Sequence, residues 1–183
     1  MGKIINIYGP SGTGKTQYIT NNLFQRDNLD KNLVIPGVSP PAISLLPLPD
    51  FEGTVDEYFK IFDIEDIQHE KFDKLSLPML NLPYELLKVR TYKMLSAGEK
   101  RRLDILRCSI SSNFIIVDEP LSNSSANHHE KIFQILEEDF LAAIILSHTP
   151  YKNCLNLRIE NIIRNDKGHL LFRAFKENFA TLL

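Results

Sequence analysis

Apolar residues follow two patterns along this chain. Short unbroken runs stop at Gly, Pro or acidic residues, and longer stretches place apolar residues three and four apart. Ile4, Ile5 and Ile7 lie within Lys3–Tyr8 and are bounded by Gly9-Pro10, which predicts a short buried strand. A helix is predicted from about Gly14, with Tyr18, Ile19 and Leu23 on one face. Asn32 to Pro36 predicts another strand. The stretch VSPPAISLLPLPDFEG holds Pro40, Pro41, Pro47 and Pro49 and predicts loop with at most a short edge strand. From Thr54 the spacing of Val55, Tyr58, Phe59 and Phe62 is helical. Up to about Tyr92 the chain reads as short helices broken by Pro78 and Pro83. A helix from Ala97 carries Leu103, Leu106 and Ile110. Phe114–Val117 predicts a buried strand ending at Asp118-Glu119-Pro120. A helix near Ala126–Asp139 carries Ile132, Ile135 and Leu136, and Leu141–Leu146 predicts a buried strand ending at Ser147-His148. The tail NLRIENIIRNDKGHLLFRAF predicts two strands around a turn at Asp166-Lys167-Gly168.

The repeating unit is strand, loop, helix, strand. It predicts an α/β protein, a mostly parallel sheet flanked by helices, with a small helical subdomain at about residues 54–94 inside one domain spanning residues 1–183. Gly9, Asp118, Glu119 and His148 all fall at the carboxyl ends of predicted strands, where active groups collect in such sheets.

Composition narrows the function classes. A chain of 183 residues suits a single core. The 21 basic and 23 acidic residues give a net charge of −2, which lends no support to a direct nucleic-acid partner. Cys108 and Cys154 form no CxxC, so the chain fits a reduced, cytoplasmic setting and no disulfide framework. No apolar run reaches the length of a membrane span, and the N-terminal apolar run is too short for a signal peptide. Any action at a membrane is expected through a partner.

GPSGTGKT, Gly9-Pro10-Ser11-Gly12-Thr13-Gly14-Lys15-Thr16, fits the phosphate-loop pattern and lies between a predicted strand and a predicted helix. Glycines let backbone N–H groups converge on a phosphate, and the helix start adds positive charge. Lys15 can reach the β- and γ-phosphates, and the Thr16 hydroxyl can ligate Mg²⁺. A Gly-rich turn with a solvated lysine is the blander alternative. IIVDEP supplies the complement. Asp118 can hold Mg²⁺ through water, and Glu119 can serve as general base to a water attacking the γ-phosphate. His148, at the next strand end, suits phosphate sensing. His128-His129-Glu130 reads as a solvated helix face rather than a metal site.

LSAGEKRR, Leu95 to Arg102, is open to two readings. Ser96 followed by Glu99 is a capping box, a routine helix start. It can equally be half of a nucleotide site that a second molecule completes.

The order phosphate loop, LSAGE, VDEP, IILSH resembles that of the ATP-binding cassette (ABC) ATPases, over Lys3 to about Leu171. LSAGE resembles the family's LSGGQ signature, with Ala97 and Glu99 differing, and KRRLDILR resembles the helix that follows it. The resemblance implies a P-loop fold, ATP and Mg²⁺ as cofactors, and head-to-tail protomers. Lys15 and Thr16 would hold phosphate and metal, Asp118 would be the Walker B acid, Glu119 the base and His148 the switch histidine. Ser96, Ala97, Gly98 and Glu99 would meet the ATP of the other protomer, with Ser96 and Gly98 on its γ-phosphate. A capped helix start suits that task, since it presents free N–H groups and positive charge, so the two readings of LSAGE merge.

Three departures from the family pattern carry expectations. Nothing precedes Lys3 to supply an adenine-stacking aromatic, so base recognition is expected to be weak or supplied elsewhere. Leu48 stands where a Mg²⁺-ligating Gln is usual, and Ser125 stands where Asp is usual, which affects communication across the dimer.

The resulting expectation is an ATP-hydrolysing cassette subunit powering a small, exporter-like membrane transporter. Its partners would be a second cassette protomer, identical or different, and an integral membrane subunit. It would be cytoplasmic or peripheral on the inner face of the cell membrane. A soluble cassette ATPase acting on a macromolecular partner is the second reading, favoured by the missing Gln. A P-loop small-molecule kinase is the third, but it leaves LSAGE and Glu119 unexplained.

Overall fold

The computed structural model describes residues 4–23, 39, 41–44, 51–64, 72–73, 79–152 and 154–160. Five strands form one sheet: β1 (Ile4–Tyr8), β2 (Ala42–Ser44), β3 (Phe114–Asp118), β4 (Ala142–Ser147) and β5 (Leu155–Arg158). Their spatial order is β2-β3-β4-β1-β5, and every pairing is parallel. The described segments include helices α1 (Lys15–Leu23), α2 (Val55–Lys60), α3 (Tyr84–Leu87), α4 (Ala97–Ser111) and α5 (Ala126–Glu138), with a 3₁₀ turn at Tyr92–Met94.

The apolar runs become strands because both faces of the sheet are covered. Ile115, Val117, Ala143 and Ile145 face one side with Leu103 and Leu106 of α4 and Ile132 and Leu136 of α5. Phe114, Ile116, Ile144 and Leu146 face the other side with Ile5 and Ile7 of β1 and Ile19 of α1. Each such side chain contributes roughly 1.5–3 kcal/mol by leaving water. Truncating fully buried Ile144 to Ala would cost about 2–5 kcal/mol, because the central strand cannot collapse around the gap.

Prolines mask β2 in the sequence. It is three residues long and lies at the sheet edge, which agrees with the short edge strand expected in that loop. Pro83 does not simply break a helix. It occupies the residue before α3 and opens it, a position where its missing N–H is harmless. The strand ending at His148 runs Ala142–Ser147, and Leu141 lies outside it and partly exposed. The first predicted tail strand is met only in part: β5 stops at Arg158, and Ile159 and Glu160 are helical instead of extending it toward the turn. The expected strand at Asn32–Pro36 and the turn at Asp166–Gly168 lie outside the described residues.

α2 starts on a capping box. Thr54 Oγ1 accepts from Glu57 N–H at 3.2 Å, and Thr54 N–H donates to Glu57 Oε2 at 2.7 Å. Its inner face meets an aromatic cluster in which Tyr58 stacks on Tyr92 at 4.6 Å. A buried polar network ties this cluster to α4. The Tyr58 hydroxyl and Arg107 Nε both donate to Asp104 Oδ1 at 2.7 Å. Arg107 Nη2 also donates to the Ile43 carbonyl of β2 at 2.7 Å. The helix bearing the LSAGE stretch is therefore fixed to α2 on one side and to the sheet edge on the other.

Candidate functional site

Strand order assembles the site. β4 lies between β3 and β1, so its end touches the end of each. The Leu146 carbonyl accepts the Glu119 N–H at 2.8 Å, and the Ser147 carbonyl accepts the Gly9 N–H at 3.1 Å. His148 comes next in the chain. Its Nε2 lies 3.4 Å from Ser11 Oγ and 3.3 Å from Glu119 Oε1.

The loop Gly9–Thr16 follows β1 and feeds α1. Gly12 and Gly14 hold φ values of 76° and 79°, which side-chain-bearing residues seldom adopt. Open space surrounds the positions where their Cβ atoms would stand. Thr13 Oγ1 donates back to the Pro10 carbonyl at 2.8 Å and tightens the turn. Lys15 is buried, and its ammonium donates to the Gly9 and Pro10 carbonyls at 2.6 and 3.0 Å. Such a loop, with turned glycines, an ammonium and a helix start, fits a polyphosphate.

The donor set for a cation is equally coherent. Thr16 Oγ1 donates to Asp118 Oδ2 at 2.9 Å across the gap between α1 and β3. A hydroxyl and a carboxylate suit Mg²⁺, which keeps several waters and takes its remaining ligands from phosphate. Among the described residues no group of three or more His, Cys, Asp or Glu could hold a metal by itself.

Glu119 carries φ 47°, a left-handed conformation that costs a non-glycine residue about 1–2 kcal/mol. That turn lifts its carboxylate out of the strand line. Burial pushes its pKa up, the Asp118 charge adds to this, and His148, Lys15 and Arg101 oppose it. Oε1 is buried without a hydrogen-bond partner among the described residues, and His148 Nε2 lies 3.3 Å from it. An orphaned carboxylate oxygen is costly to keep and suits a group that receives a proton from water.

Ser96, Ala97, Gly98 and Glu99 open α4. Ser96 and Ala97 are exposed, whereas Gly98 is buried. A Cβ on Gly98 would collide with the Asn123 carbonyl, so glycine is required for α4 to lie against the loop after Glu119. The capping box is present, with Ser96 Oγ accepting from Glu99 N–H at 3.2 Å. Ser125 stands at the start of α5, and its hydroxyl meets His128 Nδ1 at 2.7 Å. His129 Nε2 lies 3.1 Å from the Ser124 carbonyl, so both histidines turn back onto the loop before the helix.

Sequence reasoning missed what holds His148 in place. Asn6 is fully buried inside an otherwise apolar strand. Its Oδ1 accepts from the Ser147 hydroxyl at 2.8 Å, and its Nδ2 donates to the Thr149 carbonyl at 3.1 Å and to Asn156 Oδ1 at 2.7 Å. Residues on both sides of His148 are thus anchored to β1 and β5. The one available signal was a polar residue at the centre of an Ile run.

No family model matches the sequence, and no curated protein does. Solved structures match over most of the chain. A putative ABC transporter ATP-binding protein from Pyrococcus furiosus has a TM-score of 0.66 at 19% identity, over 87% of this chain and 86% of that one. A putative cobalt transport ATP-binding protein has a TM-score of 0.59 at 20% identity, over 81% of this chain and 59% of that one. An archaeal ribosome recycling factor, solved with a ribosomal stalk protein, has a TM-score of 0.56 at 21% identity, over 80% of this chain and 29% of that one. Parallel sheet, strand order of the site and these likenesses agree: the chain has the fold of the ATP-binding cassette ATPases.

Proposed function

We propose that the protein hydrolyses ATP with Mg²⁺ and works as a head-to-tail dimer of cassettes. The carrying observation is His148 Nε2 placed between Ser11 of the phosphate loop and the orphaned Glu119 oxygen. In this reading Lys15 exchanges its two loop carbonyls for phosphate oxygens. Thr16 and Asp118 would hold Mg²⁺, which would supply positive charge to offset that of the phosphates. Water attacks the γ-phosphorus and gives its proton to Glu119. The bond to the bridging oxygen breaks, which yields ADP and inorganic phosphate. His148 contacts the γ-phosphate and reports its departure to Ser11 and Glu119. Ser96 and the start of α4 approach the phosphate bound by the other protomer.

Residues 1–183 would form one cassette domain, with 54–94 as its helical part. That part supports a membrane partner, because Leu86, Val89 and Met94 are 59, 66 and 76% exposed. Likeness to two transporter ATP-binding proteins supports the same reading. Among the described residues no helix is long and apolar enough to cross a membrane, so the protein would be peripheral. Likeness to a ribosome recycling factor favours a soluble role instead.

Phosphate release from ATP tests the activity. The expected result is Mg²⁺-dependent release that chelation abolishes and Lys15→Ala removes. Transfer of phosphate to a nucleoside or sugar, with no free phosphate, would turn the reading to a kinase. Affinity capture from solubilised membranes separates the partners: a multi-span protein supports transport, and recovery with cytosolic macromolecules alone supports the soluble role.

A further inference from the structure

Glu99 occupies the helix end that Ser96 opens. Its Oε2 accepts from the Ser96 N–H at 2.8 Å and from the Ser96 hydroxyl at 2.7 Å. The hydroxyl proton that a partner's phosphate would need is therefore already given to Glu99. The carboxylate also places a negative charge where that phosphate would arrive. Burial would raise the Glu99 pKa, but the Ser96 bonds and Arg90 outweigh it and hold it below the usual range, so Glu99 is ionised at neutral pH.

One cation faces the other oxygen. Arg90 Nη1 lies 3.3 Å from Glu99 Oε1, with side chains 36 and 24% exposed. Arg102, buried one turn along α4, also feels the Glu99 charge. Arg90 is set firmly. Its carbonyl accepts the Val55 N–H at 2.9 Å, and the next residue, Thr91, bridges to Thr54. The start of α2 thus fixes the backbone that presents this guanidinium to the signature.

We propose that Arg90 is a positioning residue for the nucleotide held by a second copy of this chain. By holding Glu99 Oε1, it offsets the carboxylate charge and leaves Glu99 a partner when the Ser96 hydroxyl turns from Oε2 to the incoming phosphate. This rests on the dimer reading above. Without Arg90, an unneutralised carboxylate faces the phosphate. When Glu99→Gln removes that charge, the capping box survives and the need for Arg90 disappears.

The test uses the full chain carrying Glu119→Gln and measures the ATP concentration that gives half-maximal dimer by analytical ultracentrifugation. Arg90→Gln raises that concentration by roughly threefold or more, the scale of a partly exposed ion pair. Glu99→Gln lowers it. Arg90→Gln with Glu99→Gln matches Glu99→Gln alone. Equal melting temperatures establish that all variants fold. A penalty for Arg90→Gln that persists in the Glu99→Gln background, or weaker dimers from Glu99→Gln, overturns the proposal while leaving the dimer reading intact. If Glu119→Gln itself never dimerises with ATP, the dimer reading fails first and the role of Arg90 falls with it.

Discussion

His148 Nε2 lies 3.3 Å from Glu119 Oε1, and both residues hang from the end of β4, one by sequence and one by the 2.8 Å bond from Glu119 N–H to the Leu146 carbonyl. The pair is therefore set by the sheet and not by loop length. Replacing Glu119 by Gln is expected to lower the rate of ATP hydrolysis by roughly 10²–10⁴-fold with little change in ATP affinity, since a general base acts in the transition state. Single-turnover kinetics beside nucleotide binding checks this.

The same carboxylate predicts a pH-dependent stability. Burial raises the Glu119 pKa in the folded chain. A raised pKa means the folded state holds the proton more tightly than the unfolded state. The associated stability is present below the unfolded value of about 4.3, and is lost as pH rises through the folded value. Glu119→Gln should then melt higher than the parent at pH 7.5, with the gap closing toward pH 4. Identical differences at both pH values in a thermal melt would contradict this.

Asn6 should act through His148. Asn6→Ala leaves the Ser147 hydroxyl, the Thr149 carbonyl and Asn156 without a shared partner. The expected cost is about 1–3 kcal/mol of stability, read by urea denaturation. Hydrolysis should fall further than that loss explains, and the excess should vanish when His148 is already Ala.

The network under α4 predicts an order of effects. Tyr58→Phe removes one donor from Asp104 but leaves Arg107 in place, at about 1.5–3 kcal/mol. Asp104→Ala strips the buried Arg107 of its carboxylate and should cost more, about 3–5 kcal/mol. Denaturation midpoints decide between this order and its reverse.

Much of the architecture was legible because its signals are local. Phe114–Val117 and Ala142–Leu146 are apolar on both faces, and Ile4–Ile7 is so but for Asn6, which marks central parallel strands. Gly12 and Gly14 announce the loop, since few other residues accept its backbone angles. What stayed hidden is long-range. Tyr58 meets Asp104 across 46 residues, and Asn6 meets Thr149 across 143. No periodicity records such pairs. Arg90 and Glu99 are only nine residues apart, but their meeting depends on the Thr54–Thr91 bridge. LSAGE could be read as a cap or as a signature. Its capping box is present, and Ser96 stands exposed at the helix start.

In the proposed dimer the start of α4 completes the nucleotide site of another molecule. Gel filtration of Glu119→Gln with ATP and Mg²⁺ tests it most directly. The expected result is a shift from monomer to dimer that ADP does not produce and that Ser96→Arg abolishes. A variant that binds ATP yet elutes as a monomer at every concentration would contradict it.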